Sequence, residues 1–409
     1  MASLSATDIA AILKEIYPDG LPKSVMYKNS PFLAALPKDT EAAYSKQIQV
    51  PVRWGNPQGA SADFGTARNS GNFAQASSYS AFSVTTKNYY GSAAIDGEAI
   101  DKSKRDRGSF VRALEKEISG AQYTMKRALT AYVFGNGGAA LGRVATSGIT
   151  TTVLTLANPS DVVWFEKGAL IGLSSADGTS GSLRGSPSYA TLSAVDRSAG
   201  TLTATANWTA TIAGATDGDY LFKKGDFGAA ISGYEAWVPR SAPSATTFFG
   251  VDRTPDTRLS GVRKDVSDRP IEEGLLDAAE LLAREGSAVD FAVMHTTAFA
   301  NLQKALGSKV VYDNMEAFDD ARIGFKVISF MGPAGPIKVM ADPNAPVGRL
   351  LMGQLDTWTL YTMGDMVRML DNDGLPYLRQ VTADGIEIQL VFRGQLACDA
   401  PGYNGNFAI

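Results

Sequence analysis

The sequence predicts an α+β protein carrying an inserted small all-β module. Three observations predict it. Two strand patterns, at 47–54 and 80–90, flank a long and nearly uncharged loop. One continuous apolar stripe marks a long helix over about 108–134. Residues 146–222 hold almost nothing but short alternating runs and turns. A chain of 409 residues calls for two or three domains, and its 44% hydrophobic fraction is enough to fill their cores.

Residues 1–46 read as an N-terminal arm. Pro18, Pro22, Pro31 and Pro37 divide it, so no helix runs through it. Its apolar residues (Val25, Met26, Phe32, Leu33, Leu36) need a surface elsewhere to bury against. Residues 47–100 read as an extended hairpin. Ile48, Val50, Val52 and Trp54 alternate, as do Phe82, Val84 and Thr86, so the two runs are expected to pair. The loop between them carries only Asp63 and Arg68 as charges, with the aromatics Phe64, Phe73 and Tyr79. A long loop without regular structure but rich in aromatics is expected to order on a partner surface.

Residues 101–145 hold the long helix. Phe110, Leu114, Ile118, Ala121, Met125, Ala128 and Tyr132 share one face, with Ser109 as the expected cap and Gly135 as the stop. At 1.5 Å per residue it spans about 37 Å. Residues 146–225 read as a sandwich or barrel, with a hairpin in which Ala190, Leu192 and Ala194 face Leu202, Ala204 and Ala206. Residues 226–350 read as a mixed α/β part. Its first helix has Pro270 in its first turn, Glu272 and Glu273 near the positive end, buries Ile271, Leu275, Ala278 and Leu282, and stops at Gly286. A buried strand "DFAVM" and a helix capped by Thr296 or Thr297 come next, then strands at "GFKVISF", "PIKVMAD" and "GRLLMG". Residues 351–409 read as two long strands joined by a loop, with turns at Asp373-Gly374 and Asp384-Gly385.

Composition excludes several functions. The formal net charge is -4, and the arm balances five lysines with five acids, so neither a basic composition nor a cationic tail grips a nucleic acid. Cys398 is the only cysteine and His295 the only histidine, which leaves no disulfide and no thiolate zinc site. The start of the sequence has no signal-peptide pattern, and no apolar run is long enough to span a membrane. A soluble protein of a reducing compartment is expected.

The candidate chemical motifs fail on spacing. His295 stands where a strand meets a helix, a place that hosts catalytic residues in α/β enzymes, but no nucleophile elbow accompanies it. A dyad with Cys398 has no surrounding motif, and a polar junction residue bonded to the backbone is the plainer reading. In "GNGGAALG" (135–142), Ala140 stands where a dinucleotide fingerprint needs its last glycine, and the stretch follows a helix. "DNDGLPY" (371–377) lacks the closing glutamate of a calcium loop and reads as a turn. "NWT" (207–209) is a glycosylation sequon without a secretory context. "DKSKRDRG" (101–108) is locally basic and reads as a solvated or subunit-facing helix entry, with contact to phosphate as the lesser alternative. No catalytic, cofactor or metal residue is assigned. Arms and extended loops that cannot bury themselves on one subunit imply a multi-subunit assembly.

The order of parts resembles the major capsid proteins of tailed bacteriophages, the HK97-like fold family: arm, extended loop, spine helix, axial domain and a peripheral domain of long strands. "NSPFLAALPK" followed by "IQVPVRWGNPQGAS" looks like an arm-to-loop passage of that family, and "DFAVMHTTAFANLQKAL" looks like its strand–helix step. The 146–222 module resembles insertions that some members carry. The resemblance implies a shell subunit of the virion, assembled in a bacterial cytoplasm into pentamers and hexamers around double-stranded DNA that it encloses without reading. The loop begins too early for a fused scaffold, so the resemblance implies a separate scaffolding protein or assembly without one, with portal and decoration proteins as further candidate partners. Lys87 lies near the loop, but no Asn and Glu set accompanies it, so the covalent crosslink of some members is not carried over. Two alternatives are an encapsulin-type shell, which shares the fold but packages enzymes, and a phage tail or baseplate component.

Overall fold

The computed structural model describes residues 30–57, 60–69, 76–98, 113–244, 246–306, 312–314, 326–364, 366–370, 378–380 and 384–409. They divide into two compact units. The smaller contains residues 87–129 and 362–394; the larger contains 30–86, 130–361 and 395–409.

In the larger unit the end of the arm is not waiting for an outside surface. Ser30 caps a short helix, Pro31–Ala35, whose first residue is the proline. Proline is pre-set for that position, and Pro37 then ends the element. The helix turns Phe32 inward, where its ring lies 5.2 Å from that of Phe134, 5.6 Å from Phe291 and 6.1 Å from Tyr234. Phe32 and Leu36 are buried within their own chain. The expectation that these residues need a partner is therefore corrected for 30–36; residues 1–29 lie outside the described residues.

Strands Ile48–Gly55 and Ser78–Val84 pair antiparallel, in register from Ile48↔Val84 to Arg53↔Tyr79. Ile48, Val50, Val52, Phe82 and Val84 point inward and are buried, while Gln49, Pro51, Arg53, Tyr79 and Ala81 face out. The second expected strand is two. It breaks at Thr85 and Thr86, and residues beyond them pair elsewhere. Two β-branched residues continue a strand pattern in sequence without forming one. The loop also contains a helix, Phe64–Asn69, where irregular chain was expected.

In the smaller unit, strand Lys87–Asp96 runs antiparallel to the 14-residue strand Gly385–Cys398, from Lys87↔Gly394 to Asp96↔Gly385. Arg368–Met369 and Leu378–Arg379 pair along the same long strand. The expected second long strand is thus broken into short pieces, beginning with Trp358–Thr362. The long helix is Ala113–Phe134, 22 residues and about 33 Å; it belongs to this unit through Leu129, and its last five residues belong to the larger one. Ser109 and Phe110 lie outside the described residues. Met125 rests on Gly91, where an added Cβ would sit 2.5 Å from its Sδ, so the helix needs a glycine beneath it. The final turn is more enclosed than one stripe allows, because Leu129, Val133 and Phe134 are buried beside Ala128 and Tyr132. Gly135 ends it as expected.

Six antiparallel strands between Gly142 and Lys223 close into a barrel. Closure removes the free edges that a small sheet of short strands would otherwise present. The inward set includes Val144, Leu154, Leu156, Ile171, Leu173, Leu202 and Leu221. The expected hairpin forms between Ala190–Asp196 and Thr201–Ala204, but a register shift between Leu192 and Ala194 inverts the alternation. Ala194 consequently faces out, and Trp208, not Ala206, is buried beyond the second strand.

A seven-stranded mixed sheet completes the larger unit. In spatial order its strands are Val262–Asp265, Gly405–Ala408, Arg349–Gly353, Phe291–Met294, Gly335–Ala341, Lys326–Gly332 and Tyr312–Asn314. Phe291–Met294 sits in the middle, buried at every residue, which is why it reads as an unbroken apolar run. Helices Ile271–Arg284 and Thr296–Leu306 cover one face, packing Leu275, Ala278, Leu282, Phe299 and Leu302 onto Met294, Val339, Leu350 and Phe407. Pro270 takes the cap position itself, Ile271 is only partly buried, and Gly286 stops the helix at φ 88°.

Candidate assembly surface

The sequence singles out His295 for possible chemistry, and the structure gives it a structural task. Its side chain, rather than Thr296 or Thr297, caps the helix: Nδ1 accepts the Thr297 N–H at 3.2 Å and lies 3.0 Å from Thr297 Oγ1. The His295 carbonyl accepts the Phe299 N–H at 3.0 Å. Burial holds the imidazole below its ordinary pKa, which favours the neutral ring, and the Thr297 N–H selects the tautomer in which Nδ1 accepts. His295→Ala is expected to cost about 1 kcal/mol, the usual value of a lost cap, with His295→Asn recovering most of it. The imidazole's own contribution to stability should also rise with pH through its ordinary range, because the unfolded chain binds that proton more readily, so the gap between the wild type and His295→Ala should be wider at pH 7.5 than at 5.5. Urea denaturation of the three proteins at pH 5.5 and 7.5 checks both.

Cys398 is buried among a different set of partners. Its Sγ lies 3.8 Å from Thr357 Oγ1 and accepts from Asn404 Nδ2 at 3.5 Å, and burial pushes the thiol far up. His295 and Cys398 have separate partners and form no dyad. Asn136 in the glycine-rich stretch bonds Asp177 at 2.7 Å, and a Cβ at Gly138 would meet the Asp177 carbonyl oxygen at 2.1 Å, so those glycines serve a close chain crossing. Asn207 of the sequon caps the short helix Trp208–Thr211. The basic stretch 101–108 and the turn 371–377 lie outside the described residues. Among the described residues no group of three or more His, Cys, Asp or Glu is placed to hold a metal ion, and no helix is long and apolar enough to cross a membrane.

What the larger unit does present is an aromatic-bearing hairpin on a braced root. Phe64 is 79% exposed and Tyr79 is 66% exposed. The root is held from within. Phe82 packs edge-on against Trp237 at 5.0 Å, and Trp237 against Phe248 at 5.1 Å. Arg253 Nη1 donates to the carbonyls of Ala236 (2.7 Å) and Trp237 (3.1 Å), and its guanidinium lies 4.1 Å from the Phe248 ring centroid. Burial, with Arg263 nearby, lowers the Arg253 pKa to about 10, so it remains charged at neutral pH. Arg258 Nη1 donates to the Trp54 carbonyl at 2.6 Å, bracing the first strand where it leaves the body. The sequence marks Phe64 and Tyr79 through their low-charge surroundings. It gives no sign of Arg253 or Arg258, whose partners are backbone carbonyls.

No family model and no curated protein matches the sequence. Solved structures do. The chain is similar to one in the capsid asymmetric unit of cyanophage A-1(L), at 12% identity and a TM-score of 0.52, over 95% of this chain and 96% of that one. It is also similar to a chain in the capsid of the native GTA particle, at 10% identity and a TM-score of 0.49, over 100% of this chain and 99% of that one. A chain from Mycobacterium phage Ogopogo aligns at 8% identity with a TM-score of 0.46, over 100% of this chain and 99% of that one. The cyanophage comparison shows a shared fold along nearly the whole chain: the protein has the mixed helix-and-strand fold of a phage capsid subunit.

Proposed function

We propose that this protein is the major capsid protein of a tailed bacteriophage, a non-catalytic subunit that assembles into the icosahedral shell around double-stranded DNA. The observation that carries this reading is the fold shared with the cyanophage capsid chain over 95% of the sequence. In this reading the parts take HK97-like roles: residues 1–46 the arm, 47–100 the extended loop, 101–145 the spine, 146–225 an inserted module, 226–350 the axial domain and 351–409 the peripheral strands. The exposed aromatics at 64 and 79 support a loop that covers a neighbouring copy, since large apolar side chains held out from a braced root are normally covered in use. The near-balanced charge fits a wall that confines DNA without gripping it. Scaffolding, portal and decoration proteins would be its partners, and assembly would take place in the host cytoplasm.

Negative-stain electron microscopy of the purified protein, with light scattering for mass, tests the reading. Closed shells or rings of five or six subunits are the expected result. Small shells filled with protein cargo would replace it with an encapsulin-type reading. A species that stays monomeric even with the scaffold from the same genome would reject it.

A further inference from the structure

Asp342 follows the strand Gly335–Ala341, and its side chain is 0% exposed. Its own N–H donates to the Met294 carbonyl at 3.0 Å, which fixes it beside the end of the central strand. Every group holding its carboxylate is neutral. The Ser30 hydroxyl donates to Oδ2, the Asn344 N–H donates to Oδ1 at 2.8 Å, and the Phe32 N–H donates as well. The Asn344 side-chain amide adds a fourth donor, and two of the four belong to the arm segment. Ser30 Oγ at the same time accepts the Leu33 N–H at 3.4 Å, so one hydroxyl caps the arm helix and binds the carboxylate. A buried carboxylate without a cation is costly, and hydrogen bonds from neutral donors offset only part of that cost.

We infer that Ser30 and Asp342 form a proton-operated latch, which holds residues 30–36 down when the carboxyl is protonated and loosens them when it ionises. The titratable surroundings are sparse. Residues 30–36 contain no ionisable side chain, and Asn344 is neutral. From the adjacent strand the next residue is His295, whose Nδ1 is engaged by Thr297 and whose pKa is lowered by burial. Burial raises the Asp342 carboxyl to about 6, against the downward pull of Ser30, Asn344 and Phe32. If the segment lifts and water reaches the carboxyl, its pKa returns toward the ordinary aspartate range of about 4. The closed form therefore binds the proton more tightly. Closing is favoured as pH falls from about 6 toward about 4, and opening levels off at its greater extent above the closed-form value. The opening equilibrium should change by up to roughly tenfold per pH unit between those limits.

Amide hydrogen exchange on the soluble chain, corrected for intrinsic rates, reads this without any shell. Between pH 4.5 and 7, protection of the Phe32, Leu33 and Leu36 amides should fall roughly tenfold or more, while remaining at both ends well below that of Val339 and Leu350 in the sheet, which open only with the whole unit. Asp342→Asn should give high protection with no pH dependence. Ser30→Ala, which removes a donor that favours the ionised form, should move the midpoint upward. Flat protection in the wild-type protein would overturn the latch, as would an unmoved midpoint in Ser30→Ala. A pH dependence that vanished in His295→Asn instead would assign the switch to the imidazole and overturn it too. Arm amides as strongly protected as the sheet amides at every pH would mean that they exchange only by global unfolding, and would overturn it as well. These outcomes are independent of whether the protein forms shells.

Discussion

Asn404→Ala is expected to destabilise the larger unit by roughly 3–5 kcal/mol, more than a lost helix cap or a single surface contact in this fold. Asn404 is buried, and its short amide serves five groups. Oδ1 accepts the indole N–H of Trp358 at 2.8 Å and the Gln354 N–H at 3.3 Å. Nδ2 reaches Thr357 Oγ1 at 2.9 Å, the Ala400 carbonyl at 3.0 Å and Cys398 Sγ at 3.5 Å. Alanine leaves the Trp358 donor without a partner in a fully buried site, where each unsatisfied group costs about 1–3 kcal/mol. The indole has no easy escape, because Tyr234 stacks on it at 4.6 Å and is itself tied by its hydroxyl, 3.1 Å from the Met352 carbonyl oxygen and 3.0 Å from that of Gly405. Asn404→Asp keeps the acceptor but loses the donors and brings a charge into the core, so it should be no better. Gly353 belongs to the same arrangement, since an added Cβ would lie 2.0 Å from Asn404 Oδ1. Urea denaturation monitored by tryptophan fluorescence measures the loss, and a change below about 1 kcal/mol would show that water or rearrangement replaces the hub.

Little of that hub can be read from the sequence. "APGYNGNF" looks like a turn, and Asn before Gly is ordinary turn chemistry. Its partners stand as many as 50 positions away and share no pattern. The Ser30–Asp342 contact is more extreme, with 312 positions between the two residues. What could be read was periodic. Helix Ile271–Arg284 declared itself through its stripe, acidic start and glycine stop, and Phe291–Met294 through an apolar run too short for a helix. Periodicity misleads where a local event interrupts it. The break at Thr85 and Thr86 split one expected strand, and the register shift after Leu192 turned Ala194 outward. His295 drew notice as an isolated imidazole, but its cap depends only on a backbone N–H two residues on. The shell reading comes from the order of parts rather than from any reactive group.

Replacing residues 56–77 with Asn-Gly should abolish shell formation while leaving the subunit folded. Gly55 pairs with Ser78, so a two-residue type I′ turn can join the strands where the ladder ends. Nothing buried in the root is lost. Ile48, Val50, Val52, Phe82 and Val84 remain, as do the Arg258 bond to the Trp54 carbonyl and the Arg253 bonds behind Trp237. What disappears is the distal loop with Phe64, whose ring is mostly in water. Burying such a side chain on a neighbour contributes about 1.5–3 kcal/mol, a modest amount for one contact. In a closed shell, however, every subunit gives such a contact and receives one, so the loss recurs at each copy and closure fails cooperatively. Thermal denaturation of the shortened protein should match the parent, and electron microscopy should show no closed particles. Phe64→Ala alone should act in the same direction, raising the protein concentration needed for assembly by roughly tenfold or more. Normal shells from the shortened chain would mean that the hairpin is not an assembly element, and the contacts between copies would have to be sought on the barrel or the sheet edge at Val262–Asp265.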